Sequence, residues 1–154
     1  MITLLLVVTG VVLLAAGPVM IVQGVLGRRS VGQELTRQRI AFPATDLPAQ
    51  LDRYARSPVR TGVQARAYSE LIAGHVVKAT GGRTYAEIAA ECMGAGREDQ
   101  RLDRLRQTAF MGEALRGALL GAYQAWQLTS LVTALGGLVL LIGVVFLALA
   151  AHLR

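Results

Sequence analysis

The sequence is poor in the residues that build catalytic and covalently stabilised sites. Among 154 residues it has one cysteine, two histidines and 5% aromatic residues. A single cysteine forms no internal disulfide, so a disulfide scaffold is excluded. Zinc and non-haem iron sites need clustered ligands, whereas His75 lies in mid-chain and His152 near the end. We therefore expect no metal site, no cofactor and no enzymatic activity.

Charged side chains are missing from two long stretches. Residues 1–27 and 117–151 hold none, and residues 28–116 hold 25 of the 26 in the chain. Charged residues make up 17% of the chain and apolar residues 53%, whereas about a quarter of an ordinary soluble domain is charged. The chain is thus apolar in its first and last parts and charged in the middle, and this pattern excludes a freely soluble enzyme.

Both uncharged stretches are long enough to cross a bilayer. About 20 apolar residues suffice for a helical span, and residues 2–26 and 128–151 exceed that number. A cleaved signal peptide is the competing interpretation of the first stretch, but it requires a basic start and a shorter apolar core. We predict two transmembrane helices, with Tyr123 and Trp126 at the start of the second, where aromatic residues favour the membrane interface.

Small residues recur every seven positions in both predicted helices, and they form one stripe on each. Such stripes allow helix backbones to approach closely in lipid, and a seven-residue repeat favours a left-handed crossing. We predict an antiparallel pair packed along these stripes, while abundant glycine in membrane helices is the alternative explanation. The sequence does not tell whether the partner helix belongs to the same chain or to another copy. The stripes consist of Gly10, Gly17 and Gly24 in the first helix and Thr129, Gly136, Gly143 and Ala150 in the second.

The predicted organisation has four parts. They are a transmembrane helix (1–27), a connector with a short helix or extended piece (28–60), a helical extramembrane domain with a stalk (61–122), and a second transmembrane helix (123–152). The fold class is therefore an all-α membrane protein with two transmembrane helices, a small helical domain between them, and the second membrane helix extended as a long stalk.

Local signals place the elements between the spans. Three prolines indicate a loop before residue 60, and residues 39–42 alternate like a short extended piece. Apolar residues at helical spacing predict a helix over 61–80, ended by Gly81 and Gly82. Thr84 and Glu87 have the spacing of a capping box for a short helix to about Cys92, broken at 94–96. One long helix then starts near Asp99 and is interrupted, if at all, near Gly117 or Gly121.

The remaining chemistry is sparse. His75 is the only candidate for acid–base or pH-sensing work, and the alternative that we favour is a packed histidine on a helix face. Cys92 has an acidic neighbour rather than the electropositive setting of a reactive thiol. The net charge is +6, but acids and arginines alternate over 97–104, which is typical of a solvated helix face. We therefore expect no nucleic-acid partner.

Three motifs carry a resemblance. They are Gln38-Arg39-Ile40-Ala41-Phe42-Pro43-Ala44, then Thr61-Gly62-x-Gln64-Ala65-x-Ala67-Tyr68 with Gly81-Gly82-Arg83-Thr84-Tyr85-Ala86-Glu87, and finally Phe110-Met111-Gly112-Glu113-x-Leu115-Arg116-Gly117-x-Leu119-Leu120-x-Ala122-Tyr123. With them the chain resembles an uncharacterised family of actinobacterial two-helix transmembrane proteins. Some relatives carry an automatic label as aromatic ring-opening dioxygenases, which we reject because this chain lacks an iron-binding set. The resemblance implies no activity, substrate or cofactor.

The third motif contains the candidate partner surface. Glu113 and Arg116 are three residues apart on a helix and can pair, and Gly117 and Gly121 leave room for a neighbour. A docking surface for a partner or lipid is one interpretation. Packing of the 61–80 helix on the stalk is the alternative.

The sequence thus predicts a bacterial plasma-membrane protein without enzymatic activity, acting as an accessory, scaffold or oligomerising protein through protein or lipid contacts. A small oligomeric transporter or channel-like protein is the alternative, with Gln23 and Thr129 as its candidate pore residues, and a membrane enzyme using His75 is a third. The basic residues near the end of the first helix favour a cytoplasmic side for residues 28–122.

Overall fold

The computed structural model describes residues 1–94 and 99–153, and this part of the chain is helical. The four α-helices are α1 (Ile2–Arg37), α2 (Gly62–Thr80), α3 (Tyr85–Gly94) and α4 (Gln100–His152), and a short 3₁₀ helix (Ala49–Tyr54) lies between α1 and α2. The described residues form no strand beyond a single bridge between Ala41 and Pro58. The predicted fold class is confirmed: two long apolar helices flank a small helical region, and α4 alone has 53 residues.

The chain divides into two compact units. One consists of Met1–Gln33 with Ala125–Arg154, and the other of Glu34–Gln124. The helix that contains the predicted first span, residues 1–27, continues to Arg37. From residue 34 onward, the predicted connector lies with the predicted helical domain in the second unit.

The first unit is a pair of helices formed by the apolar parts of α1 and α4. Leucine and alanine favour a helix, and in a membrane a helix satisfies every backbone hydrogen bond internally. Pro18 lies inside α1, which continues through it. Thr129, Ser130 and Thr133 each donate a hydroxyl hydrogen bond to a carbonyl three or four residues earlier in α4. Their polar groups are therefore satisfied within the helix.

The second unit has an aromatic core. The Phe42 ring stacks on Tyr54 with centroids 5.1 Å apart and meets Tyr68 edge-on at the same distance. The amide of Phe42 donates to the carbonyl of Ser57, and the amide of Val59 donates to that of Ile40. The extended piece predicted at residues 39–42 is thereby tied to the chain that leads into α2.

Capping residues set the ends of the helices in the second unit. Thr61 and Gln64 form a capping box at the start of α2, and Gly81 closes its end in a left-handed conformation with φ of 65°. Thr84 and Glu87 form the predicted capping box of α3, with the Thr84 amide 2.7 Å from the Glu87 carboxylate. Asp99 accepts two amide hydrogen bonds at the start of α4. The other residues predicted to break the chain, Ala95 and Gly96, and the first charged pair of the 97–104 run lie outside the described residues.

Candidate functional site

The predicted glycine stripes lie against each other within one chain. Gly17 packs on Gly136: a Cβ added at Gly17 would lie 2.7 Å from the Leu140 Cβ and 2.9 Å from the Gly136 oxygen. A Cβ added at Gly143 would lie 3.0 Å from the Gly10 oxygen. Neither pair of positions has room for a methyl group, so the two backbones touch directly.

The register of this contact is constant along the helix pair. Each step of seven residues forward in α1 corresponds to seven residues backward in α4, so Gly10, Gly17 and Gly24 face Gly143, Gly136 and Thr129. The pair is therefore antiparallel, and the stripes of one chain are filled by each other. This answers a question that the sequence left open.

The contact continues at one end with an aromatic and a cationic residue. The guanidinium carbon of Arg28 lies 4.3 Å from the centroid of the Trp126 ring. Nearby, Thr129 places its methyl group against Gly27, while its hydroxyl donates to the Trp126 carbonyl. Thr129, our pore candidate, therefore belongs to the contact between the helices, and Gln23, the other candidate, is exposed.

The opposite faces of both helices are apolar and exposed. In the most apolar 18-residue window, 11% of residues are buried in α1 and 17% in α4. A core helix of a soluble protein would be mostly buried, because exposing each large apolar side chain to water costs about 1.5–3 kcal/mol. Both helices are long and apolar enough to cross a membrane.

The structure separates the members of the predicted partner surface. Glu113 and Arg116 form the predicted ion pair, with a nitrogen–oxygen distance of 2.8 Å. Arg116 is half-buried and its Nε lies inside the second unit. Gly117 and Gly121 are exposed, and a Cβ at either position would meet nothing within 4 Å.

The neighbouring Gly112 is used in packing instead. It is buried, and a Cβ there would collide with the Val76 side chain of α2. Further along, Arg66 of α2 donates a hydrogen bond of 3.3 Å to the Tyr123 hydroxyl, which with Glu70 raises the pKa of Arg66. The alternative of packing α2 on α4 therefore holds for Gly112 and Tyr123, but not for Gly117 and Gly121.

One face of α4 carries a continuous row of exposed residues. Residues spaced by three and four positions share one face of a helix, and this spacing joins Gly117 and Gly121 to Ala114 and Phe110. All four are exposed, Phe110 by 58%. We call these four residues the outer strip. Phe110 belongs to the third motif, but the predicted partner surface includes neither Phe110 nor Ala114, although counting back from Gly117 in helical steps could have found both.

The titratable candidates do not come together in the described part of the chain. His75 is exposed on α2 rather than packed as expected, and Cys92 is a half-buried free thiol on α3. Within residues 1–94 and 99–153, no three His, Cys, Asp or Glu residues are grouped so as to hold a metal ion. The Glu87 carboxylate accepts the Thr84 amide and hydroxyl, and these hydrogen bonds lower its pKa.

No family model, curated protein or solved structure matches the chain.

Proposed function

We propose that the chain is an integral protein of a bacterial plasma membrane that works without catalysis, as an accessory or scaffold subunit. We also propose that it belongs to the actinobacterial two-helix family that its three motifs resemble. In this proposal α1 and α4 cross the membrane through residues 2–26 and 128–151. The exposed apolar faces of both helices support it, because lipid solvates such faces without the penalty that water imposes.

The packing of α1 supports an uncleaved first span. Three glycines, spread over fifteen residues of α1, pack directly against the backbone of α4. A cleaved signal peptide would leave that side of α4 without its partner. The contact of Arg28 with Trp126 fits the end of the spans, since both residue types favour the interface between membrane and water.

The outer strip carries the proposal of an accessory role. In the first unit the glycines of the two stripes are covered, whereas Gly117 and Gly121 are open and continuous with an exposed Phe110. Small residues allow a second helix to come close, and an aromatic side chain at one end supplies apolar contact area. The proposed occupant of the outer strip is a helix of another membrane protein.

Site-directed cross-linking in native membranes tests this role. Cys92→Ser removes the natural thiol, and Gly117→Cys then places a thiol on the outer strip for a photoactivatable maleimide. Gly74→Cys is the matched control, because Gly74 is also exposed on a helix with nothing within 4 Å of an added Cβ. We expect a discrete cross-linked partner, identified by mass spectrometry, from position 117 and none from position 74.

Two results would contradict the proposal. The same set of cross-linked proteins from positions 117 and 74 would mean that the outer strip has no preferred neighbour. Release of the full chain from membranes by alkaline carbonate would show that the chain does not span the membrane.

A further inference from the structure

A basic cleft lies between the end of α2 and the start of α4 in the second unit. It has a volume of about 540 Å³. Of the nine described residues that line it, four are basic and none is acidic. They are Lys78, Ala79, Thr80, Gly81, Arg83, Arg101, Arg104, Leu105 and Thr108. Nothing in the proposed accessory role uses this cleft.

Three of the four cations are not neutralised by the described residues. Some arginines of the second unit pair with nearby acids, as Arg106 does with Asp103 and Arg116 with Glu113. Within residues 1–94 and 99–153, no carboxylate lies within 4.0 Å of the side-chain nitrogens of Lys78, Arg101 or Arg104. Like charges lining one cleft repel each other, and a bound anion removes that repulsion.

The fourth cation is held in place by its own partners. Arg83 donates one hydrogen bond of 2.7 Å to Glu91 and another of 3.2 Å to the carbonyl of Thr80, the last residue of α2. These contacts fix the guanidinium at the edge of the cleft. Its charge is largely matched by Glu91, so the excess positive charge comes from the other three.

The uncharged polar groups near the cleft are either hydrogen-bonded within the chain or buried, so they are not available to a ligand. The Thr108 hydroxyl donates to the Arg104 carbonyl, and the Thr80 hydroxyl is buried. The first amides of α4 are capped by Asp99. A ligand would therefore be held by side-chain cations, and not by the end of the helix.

We propose that this cleft binds an anion that carries a phosphate group. Arginine presents a planar fork of donors that matches a phosphate, and lysine adds a compact charge. Arg101 and Arg104 are three residues apart on one turn of α4, so both can reach one phosphate group. The phosphate belongs either to a soluble compound or to the headgroup of an anionic lipid, and the chemistry is the same for both.

Calorimetry on the full chain in a neutral detergent tests the proposal. The probes are inorganic pyrophosphate, for the soluble source, and short-chain phosphatidylglycerol below its micellar concentration, with short-chain phosphatidylcholine as the zwitterionic reference. We expect saturable binding of pyrophosphate or phosphatidylglycerol that weakens as salt is raised. The probe that binds more tightly identifies the source.

Paired variants assign the binding to the cleft. Arg101→Gln with Arg104→Gln removes two charges from the cleft, and we expect affinity to fall by about tenfold or more, since each lost charge-assisted hydrogen bond is strong. Arg56→Gln with Arg60→Gln removes the same charge from two exposed residues outside the cleft, and we expect affinity to stay within about twofold.

The result does not depend on one variant. Circular dichroism checks that each protein is folded, and Lys78→Gln, a change at an exposed position, provides a second test on α2. Equal affinities in the cleft and control variants would overturn the proposal. So would the absence of saturable binding of pyrophosphate and of phosphatidylglycerol by the unaltered chain.

Discussion

Two buried polar atoms of the second unit have no hydrogen-bond partner within the described residues. They are the Thr80 hydroxyl and the Arg116 Nε. A buried donor without a partner loses its hydrogen bonds to water and recovers nothing in return. Arg116 offsets this loss through its ion pair with Glu113. Thr80 is 2% exposed and has no such compensation. Its buried hydroxyl therefore lowers the stability of the folded chain.

The substitution Thr80→Val should stabilise the second unit. It exchanges the hydroxyl for a methyl group of nearly the same size, and removing an unsatisfied buried hydroxyl is worth about 1 kcal/mol. Chemical denaturation of the full chain in detergent, followed by circular dichroism, measures the change.

Thr61→Val is the matched control for this prediction. The Thr61 hydroxyl accepts the Gln64 amide at the start of α2, so the same chemical change should there lower stability by about 1 kcal/mol. A loss of stability in both variants would show that the Thr80 hydroxyl makes a favourable contact.

At the scale of elements, the contact between α1 and α4 depends on the absence of side chains at a few positions. Gly136 lies under α1, where an added Cβ would be 2.8 Å from the Gly17 oxygen and 2.9 Å from the Ile21 nitrogen. The next residue, Gly137, has nothing within 4 Å of an added Cβ. Of these two adjacent glycines, Gly136 is therefore required for the close contact with α1, and Gly137 is not.

The substitution Gly136→Ala should destabilise the helix pair, and Gly137→Ala should not. A methyl group at 136 meets backbone atoms that cannot rotate away, and overpacking of this kind costs about 1–3 kcal/mol. At 137 the expected change is below about 1 kcal/mol. Unfolding of the chain in mixed micelles by added sodium dodecyl sulfate compares the two. A helix pair equally stable in both variants would mean that the close contact contributes nothing.

The sequence predicts the helices far better than their contacts. Periodicity and capping signals such as Thr84 with Glu87 are local, so the positions of α2 and α3 can be read from a few neighbouring residues. The 3₁₀ helix at Ala49–Tyr54 lacks such a signal and was missed. The use of Gly112 for packing and of Gly117 for an open surface depends on where α2 lies against α4, and helical period alone carries no information on that.

At the scale of the whole molecule, the two membrane crossings that we propose would put residues 1 and 153 on the same side of the membrane. We propose that residues 28–122 lie in the cytoplasm, because basic residues near a membrane helix tend to stay on that side. The nearby basic residues are Arg28, Arg29, Arg37 and Arg39.

Thiol labelling in intact cells tests this orientation. In a Cys92→Ser background, Met93→Cys offers a thiol at a position that is 82% exposed. A membrane-impermeant maleimide should label it only after the cells are opened. Leu153→Cys, which directly follows the last residue of α4, should be labelled in intact cells. The reverse labelling pattern would place residues 28–122 outside the cell.

The constant seven-residue register of the first unit has a consequence for motion. If α1 slid by one turn toward the end of α4, Leu147 and Leu140, which already contact Gly10 and Gly17, would come directly opposite these glycines and force the backbones apart. Small residues meet again only after a whole repeat, which is about 10 Å at 1.5 Å per residue. We therefore expect the pair to resist sliding of a few ångströms along the helix axes.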